Sequence, residues 1–325
     1  MDKKRNNLEG EARSTAVFFI KNAFFILFAL LFIGFGLLEK RFFLIENIAT
    51  ILLQSAPYMI MASGVTFVFI SGDFDLSVGS VSFFAVGVGG LAISAKLVNT
   101  TTGILIMMAL GLILGLINGL IITKLRIPGF ITTLGMLIGV RGLGLTFTGQ
   151  RATLFLPKAL RGFSRVKLGP LYAEFYIAIA IMVICHIILQ QTPFGRKIHA
   201  MGDNEKAAER LGIKIPVMKI AVFTISGFLA AASGIIYITQ AGSVHSQFAY
   251  GWEFITISMA VIGGVSLFGG KGKLIPGVLI GVLLIMMIDT GLVYMGASPY
   301  VYPLVRGVII FIAIFADSFK QKRAL

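Results

Sequence analysis

Residues Gln191–Lys219 read QTPFGRKIHAMGDNEKAAERLGIKIPVMK, the most polar run after the N-terminal tail, set between two long apolar blocks. Within it, DNEKAAERLGI predicts one short capped helix. Asp203 or Asn204 can accept the first free backbone N–H groups, Glu205 suits the positive helix start, and Glu209 and Arg210 fall in the last turn. Gly212, after Leu211, can take the left-handed position that ends a helix, and Ile213 can fold back on its apolar face. So short a helix is unstable alone in water and needs a surface to lie against. We expect that surface on a second protein, which drives this chain as a membrane channel.

The composition supports the membrane part of that expectation. Of 325 residues, 57% are hydrophobic and 13% charged, and the mean hydropathy is +0.93. Soluble domains carry about 25% charged residues. Apolar runs of roughly 17–25 residues recur, the length that crosses about 30 Å of hydrocarbon. The chain reads as an all-α polytopic membrane protein, one permease domain over 1–325 with no room for a sizeable soluble domain. A net charge of +14 would suggest nucleic acid in a soluble protein; here basic loops held at the cytoplasmic face against membrane lipid explain it, and no nucleic-acid partner is expected. Cys185, the single cysteine, cannot form an internal disulfide and reads as core packing.

Ten spans are expected, near 16–38, 52–71, 77–96, 103–123, 128–149, 171–190, 218–240, 253–269, 274–293 and 300–317. The first is too long for a signal-peptide core and lacks a cleavage site, so it reads as retained, after a cytoplasmic tail over 1–15. With both termini inside, eighteen Lys and Arg fall in inner loops and eight in outer ones. That excess sets the orientation in a bacterial cytoplasmic (inner) membrane, and 191–219 becomes the longest inner loop. The basic segment 151–167 reads as a longer outer loop, with a helix lying on the membrane as one option. Spans 2–5 and 7–10 form two groups of opposite orientation, the geometry of an inverted repeat. Gly111, Gly115 and Gly119 make a ridge for close helix packing, and Gly135–Gly139 and Gly277–Gly281 repeat the spacing. Pro57 is expected near a span start.

Few charges lie within the spans, and such charges are costly enough to be informative. Arg141, Asp289 and Arg306 fall at similar depth in the outer third, and with Glu253 they suggest one buried polar cluster, Asp289 pairing Arg306 or Arg141. Structural glue is the blander reading of that cluster, a substrate site the sharper one. At the inner junction of spans 2 and 3, SGDFDLSVGSVS (71–82) suggests a helix cap at Asp75 before Ser77, with Asp73 a solvated neighbour. The sharper reading makes Asp73, Asp75 and Ser77 the inner mouth of a pathway. Its counterpart would be 241–252, facing outward, where Tyr250 and Trp252 read as interfacial anchors rather than sugar-stacking groups.

Catalytic signals are absent from the sequence. His186, His199 and His245 have no HExxH spacing and no cysteine neighbours, so no metal site is expected. There is no GxSxG elbow. GVSLFGGK at 264–271 has Gly270 where the lysine of a phosphate loop belongs, so the chain carries no visible means of using ATP itself. Asn99-Thr100-Thr101 fits a glycosylation triplet only as a chance match.

Four stretches together resemble the permease subunits of bacterial ABC importers for monosaccharides, of the ribose, galactose, xylose and galactofuranose type. They are SGDFDLSVGSV (71–81), RIPGFITTLGMLIGVRGLGLTFTG (126–149), GRKIHAMGDNEKAAERLGI (195–213) and GWEFITISMAVIGGVSLFGGKGKLIPGVLIG (251–281), in family order and covering much of the chain. The resemblance implies a type II importer fold and a second permease copy or paralogue. It also implies ATP-binding cassette ATPase subunits that hold ATP and Mg and dock on the cytoplasmic loop. An extracytoplasmic binding protein would deliver the sugar. It puts Gly202, Asn204, Ala207, Ala208 and Gly212 in the family's coupling segment, beside Asp203, Glu205, Arg210 and Leu211. The sequence departs at Phe74 and at Phe254–Ile255, which leaves the particular sugar open. Wider relatives carry nucleosides, an autoinducer or branched-chain amino acids. A rival from another class is an ion-coupled secondary transporter, for which Asp289 is the available carboxylate.

Overall fold

The computed structural model describes residues 23–149, 153–155, 158–298, 300–308 and 311. The expected tail over 1–15, the start of the first span and the end of the last lie outside the described residues. Twelve helices are labelled here. These are α1 (Ala23–Leu38), α2 (Ile45–Ile70), α3 (Val78–Ser94), α4 (Thr100–Lys124), α5 (Gly129–Phe147), α6 (Lys158–Phe163), α7 (Ala173–Gln191), α8 (Pro193–Asp203), α9 (Glu205–Arg210), α10 (Ile215–Ala241), α11 (Trp252–Ile262) and α12 (Leu279–Tyr294). A π-helical turn, Leu274–Val278, leads into α12, and residues 301–308 are helical. Among the described residues, α2, α4, α5, α7, α10 and the stretch Leu274–Tyr294 are long and apolar enough to cross a membrane; α3, α11 and residues 26–38 are shorter apolar helices. The protein is a mostly helical, multi-pass membrane protein.

The expected span over 253–269 is corrected. Its helix stops at Ile262, and Gly263–Lys273 is not helical. Gly264, Gly269 and Gly270 hold positive φ there, which a continuing helix cannot accommodate. The segment 151–167 holds the short α6 and, among its described residues, β1 (Thr153–Phe155); β2 (Lys167–Leu168) then pairs with β3 (Leu171–Tyr172). Strand β1 pairs antiparallel with β4 (Ser243–His245). The glycosylation triplet is a helix start, since Asn99 Oδ1 accepts the Thr102 N–H at 2.8 Å and caps α4.

Helices α2 and α10 cross at the centre of the bundle. Ser55–Ile70 of α2 is buried almost throughout, with Gly64 against Ser226 and Leu229 of α10. The Ser233 hydroxyl donates to the Pro57 carbonyl at 2.7 Å, an interhelical bond worth about 0.6 to 1.7 kcal/mol in lipid. Pro57 lies in the interior of α2, not near its start, because the helix begins at Ile45. A mid-helix proline frees the carbonyl four residues earlier. That carbonyl, on Leu53, accepts the Gln240 amide at 2.9 Å.

The α4 ridge packs within the chain, antiparallel on α10. A side chain at Gly111 would meet the Gly227 carbonyl, one at Gly115 the Phe223 and Gly227 backbone, and one at Gly119 the Ile220 Cα. Small residues let the two backbones touch, and in lipid that contact is the main source of helix association. Gly277 and Gly281 pack on Gly263 and Met259 in the same way, whereas Gly135 and Gly139 face open space.

Candidate functional site

At one end of the bundle the chain forms two helices where the sequence suggested one. Pro193 opens α8 under a Thr192 cap, and the helix runs through Asp203. Asp203 therefore ends α8 rather than capping the next helix. Asn204 does the capping, its Oδ1 accepting the Ala207 N–H at 2.9 Å. Gly212 ends α9 at φ +81°, and the Ile213 N–H returns to the Ala208 carbonyl. Ala208 is buried, Ala207, Arg210 and Gly212 are exposed, and Leu211 is 79% exposed. Gly202 lies against the Ile70 carbonyl at the end of α2 and the Gly270 N–H, so no side chain fits there. The Gly270 N–H itself donates to the Ile70 carbonyl at 2.9 Å, and the Asp203 carboxylate fills the space beside Gly270. Three segments distant in sequence thus meet around Gly202.

The Lys219 ammonium joins this end to the connection 71–77 between α2 and α3, lying 3.0 Å from Glu205 Oε2 and 3.2 Å from Asp73 Oδ2. Asp73 is therefore not a solvated neighbour. Its side chain is 13% exposed, and its Oδ1 sits against Gly129, the first residue of α5, where the positive helix end favours a carboxylate. Burial pushes the Asp73 carboxyl above the usual aspartate range, and the Lys219 charge opposes that rise. A cavity of about 350 Å³ opens here, lined by Asp73, Glu205, Lys219 and Arg126 among others.

From Asp73 the chain runs back into the bundle without helix. Asp75 Oδ1 accepts the Ser77 N–H (2.9 Å) and hydroxyl (2.6 Å), and its Oδ2 accepts the Ser226 hydroxyl (2.8 Å). The Asn118 amide donates to Ser77 Oγ at 2.8 Å. Asp75 thus orients Ser77, the residue preceding α3, rather than capping the helix itself. Lys219 and Ser226 lie four and eleven residues into α10, or about 6 and 16 Å at helical rise. The turn is accordingly re-entrant and stops near mid-depth instead of at a surface. Its irregular backbone is buried in protein, the setting that membrane interiors tolerate.

A second dip enters from the opposite end, over residues 242–251. The Ala249 carbonyl and Glu253 Oε2 each lie 2.5 Å from where a Cβ on Gly79 would be, so the two dips meet at the first turn of α3. Arg141 reaches this second dip, its Nη1 donating to the Phe248 carbonyl at 2.7 Å and its guanidinium lying over the Phe83 ring at 4.5 Å. Of the two expected partners Asp289 takes Arg306, in a bidentate pair with Nε to Oδ1 at 3.1 Å and Nη2 to Oδ2 at 2.5 Å. Of the four charges, Asp289 and Arg306 thus pair, Arg141 places one N–H on a backbone carbonyl, and Glu253 lies against Gly79. Trp252 is no interfacial anchor either. It is buried against Tyr58, Tyr237 and Phe248, at ring distances of 4.6, 5.0 and 5.3 Å.

Sequence reasoning missed Lys219, Asn118, Ser226 and the buried Glu174, whose carboxylate takes the Thr239 hydroxyl (2.5 Å) and the Gln240 amide (2.6 Å). Asn118 and Glu174 left a signal, each a lone polar group in or beside an apolar run. Ser226 left none, since Asp75 is 151 residues away, and Lys219 left none for its bond to Asp73, which lies about as far back in the chain.

Comparison with known proteins agrees with this architecture. Residues 47–314 match the family model described as branched-chain amino acid transport system / permease component. The ribose import permease protein RbsC of Haemophilus influenzae is 31% identical over 312 residues, covering 95% of this chain and 96% of that one. RbsC of Escherichia coli K12 is 33% identical over 293 residues, 87% and 89% of the two chains. The autoinducer 2 import system permease protein LsrC of Yersinia pseudotuberculosis is 31% identical over 306 residues, 94% and 83%. No solved structure matches the chain. A family model that spans most of the sequence, with relatives of the same length and kind, makes this chain a member of that transport permease family, of the bacterial ABC-importer type its motifs resemble.

Proposed function

We propose that this chain is the transmembrane subunit of an ATP-driven importer for a monosaccharide or similar small neutral solute. In this reading α8 and α9 face the cytoplasm, both termini lie inside, and ten spans form two inverted groups around the crossing of α2 and α10. ATPase subunits that bind ATP and Mg press on Gly202–Gly212. A second permease copy or paralogue completes the path, and an extracytoplasmic binding protein supplies the solute. The observation that carries the reading is Lys219, one ammonium that ties Glu205 of α9 to Asp73 of the re-entrant turn. Movement of α9 is thereby felt where the path narrows. The bare Leu211 beside it suits a helix seated in a partner's cleft. The names of the relatives support a sugar cargo such as ribose, and the autoinducer 2 permeases keep autoinducer 2 as a second reading.

An ion-coupled transporter is the rival, and it needs a carboxylate free to exchange its ion. Asp289, the candidate the sequence offered, is held by both oxygens on Arg306, and the buried Asp75 and Glu174 are held by hydroxyl and amide donors. The deciding experiment reconstitutes the permease with its ATPase and binding protein in sealed liposomes. Ribose uptake should follow internal ATP and persist when an ionophore collapses the ion gradients. Uptake by the permease alone, abolished by the ionophore, would overturn the importer reading.

A further inference from the structure

Tyr250 projects from the second dip and is 73% exposed, although its neighbour Ala249 touches Gly79 near the middle of the bundle. Its backbone setting is unusual. Ala249 holds φ +55° and Gly251 φ +78°, so the ring is presented between two left-handed residues, one of them carrying a side chain. Non-glycine residues held in that region are enriched at ligand clamps. The Arg141 bond to the Phe248 carbonyl fixes this turn, and the guanidinium lies 5.8 Å from the Tyr250 ring centre. Arg141 is twelve residues into the nineteen-residue α5, about 18 Å along the helix.

Neither group suits a lipid-facing wall. A phenol hydroxyl facing acyl chains has no hydrogen-bond partner. The Phe248 carbonyl is the one hydrogen-bond acceptor that Arg141 finds among the described residues, which leaves its remaining N–H groups for something else. Glu253, three residues from Tyr250 and against the same Gly79 as Ala249, carries the charge opposite to Arg141, so the pair together does not favour an anion. What remains is an aromatic face and unspent donors, near neutrality, beside the place where the two dips meet.

We propose that Tyr250 and Arg141 form a solute subsite for a neutral polyhydroxylated ring, whose C–H face stacks on Tyr250 and whose hydroxyl oxygens accept from Arg141. The subsite rests on the importer reading, and its test does not depend on ATP. Trp252, the only tryptophan, sits two residues from Tyr250 and serves as a native reporter. The full-length permease in nanodiscs is titrated with D-ribose, D-galactose and D-xylose, and with leucine as a non-sugar control. At least one sugar should shift Trp252 emission saturably while leucine does not. Tyr250→Ala should weaken that response about tenfold, the scale of one lost aromatic contact, and Tyr250→Trp, read by sugar-dependent thermal shift, should restore it. The melting temperature of Tyr250→Ala without sugar should match the wild type.

Three outcomes overturn the subsite. They are no response to any sugar in the wild type, an undiminished response in Tyr250→Ala, and loss of permease self-association in Tyr250→Ala with sugar binding intact, which would make the ring a contact between copies. A normal sugar response combined with ATP-independent uptake would leave the subsite standing and remove the importer reading.

Discussion

The Gln240 side-chain amide donates to the Leu53 carbonyl, the oxygen that Pro57 leaves without its helical N–H. One residue of α10 thereby repairs a defect in α2, and the same amide also holds the Glu174 carboxylate of α7. Replacing Gln240 with Leu should lower stability by about 2 to 3 kcal/mol, since a buried carbonyl and a carboxylate both lose a donor. Pro57→Ala restores the missing N–H, so in the Gln240→Leu background it should recover part of the loss. Simple additivity of the two changes in a denaturation cycle would refute the pairing.

The two glycine patterns make opposite predictions. Gly111→Val drives a side chain into the Gly227 carbonyl and should cost about 3 kcal/mol or prevent folding. Gly139→Ala enters open space and should leave the melting temperature within a degree or so of wild type. Equal damage from both, measured in the same detergent, would show that α5 packs against something within the chain.

Lys219 separates stability from coupling. Glu205 is more than half exposed, so Glu205→Gln should cost under about 1 kcal/mol. It should nevertheless lower solute uptake severalfold at an unchanged ATPase rate. Lys219→Met also strands the shielded Asp73 carboxylate and should cost about 2 kcal/mol more. Wild-type transport per ATP hydrolysed in Glu205→Gln would sink the coupling role.

Asp73 predicts the sign of a pH effect. Burial raises its folded value above the unfolded one near 4, so the folded state binds its proton more tightly. Its contribution is fully present below the unfolded value and is lost as pH rises through the folded one. Thermal stability from pH 4 upward should carry that downward component in the wild type, and Asp73→Asn should remove it. In Lys219→Met, where the opposing charge is gone, the decline should extend to higher pH. An Asp73→Asn profile parallel to the wild type would exclude Asp73 as its source.

The sequence made legible what is local. Apolar run length gave the long helices, and Asn204, Gly212 and the Gly111 ridge signalled their caps and contacts through residue type alone. The same signals failed where a third dimension decides. The run 253–269 is apolar enough to read as a span, yet the positive-φ Gly264 and Gly269 break the helix. Hydropathy placed 71–77 at a surface because it counts polar residues and cannot see Ser226 or Asn118 waiting inside the bundle for Asp75 and Ser77. Trp252 illustrates the converse, since an aromatic near a predicted span end reads as an anchor until Tyr58, Tyr237 and Phe248 close around it.

The meeting of Ala249 and Glu253 with Gly79 has a mechanical corollary. Because that glycine has no side chain to yield, a displacement of α3 there bears directly on the Ala249 carbonyl and the Glu253 carboxylate together.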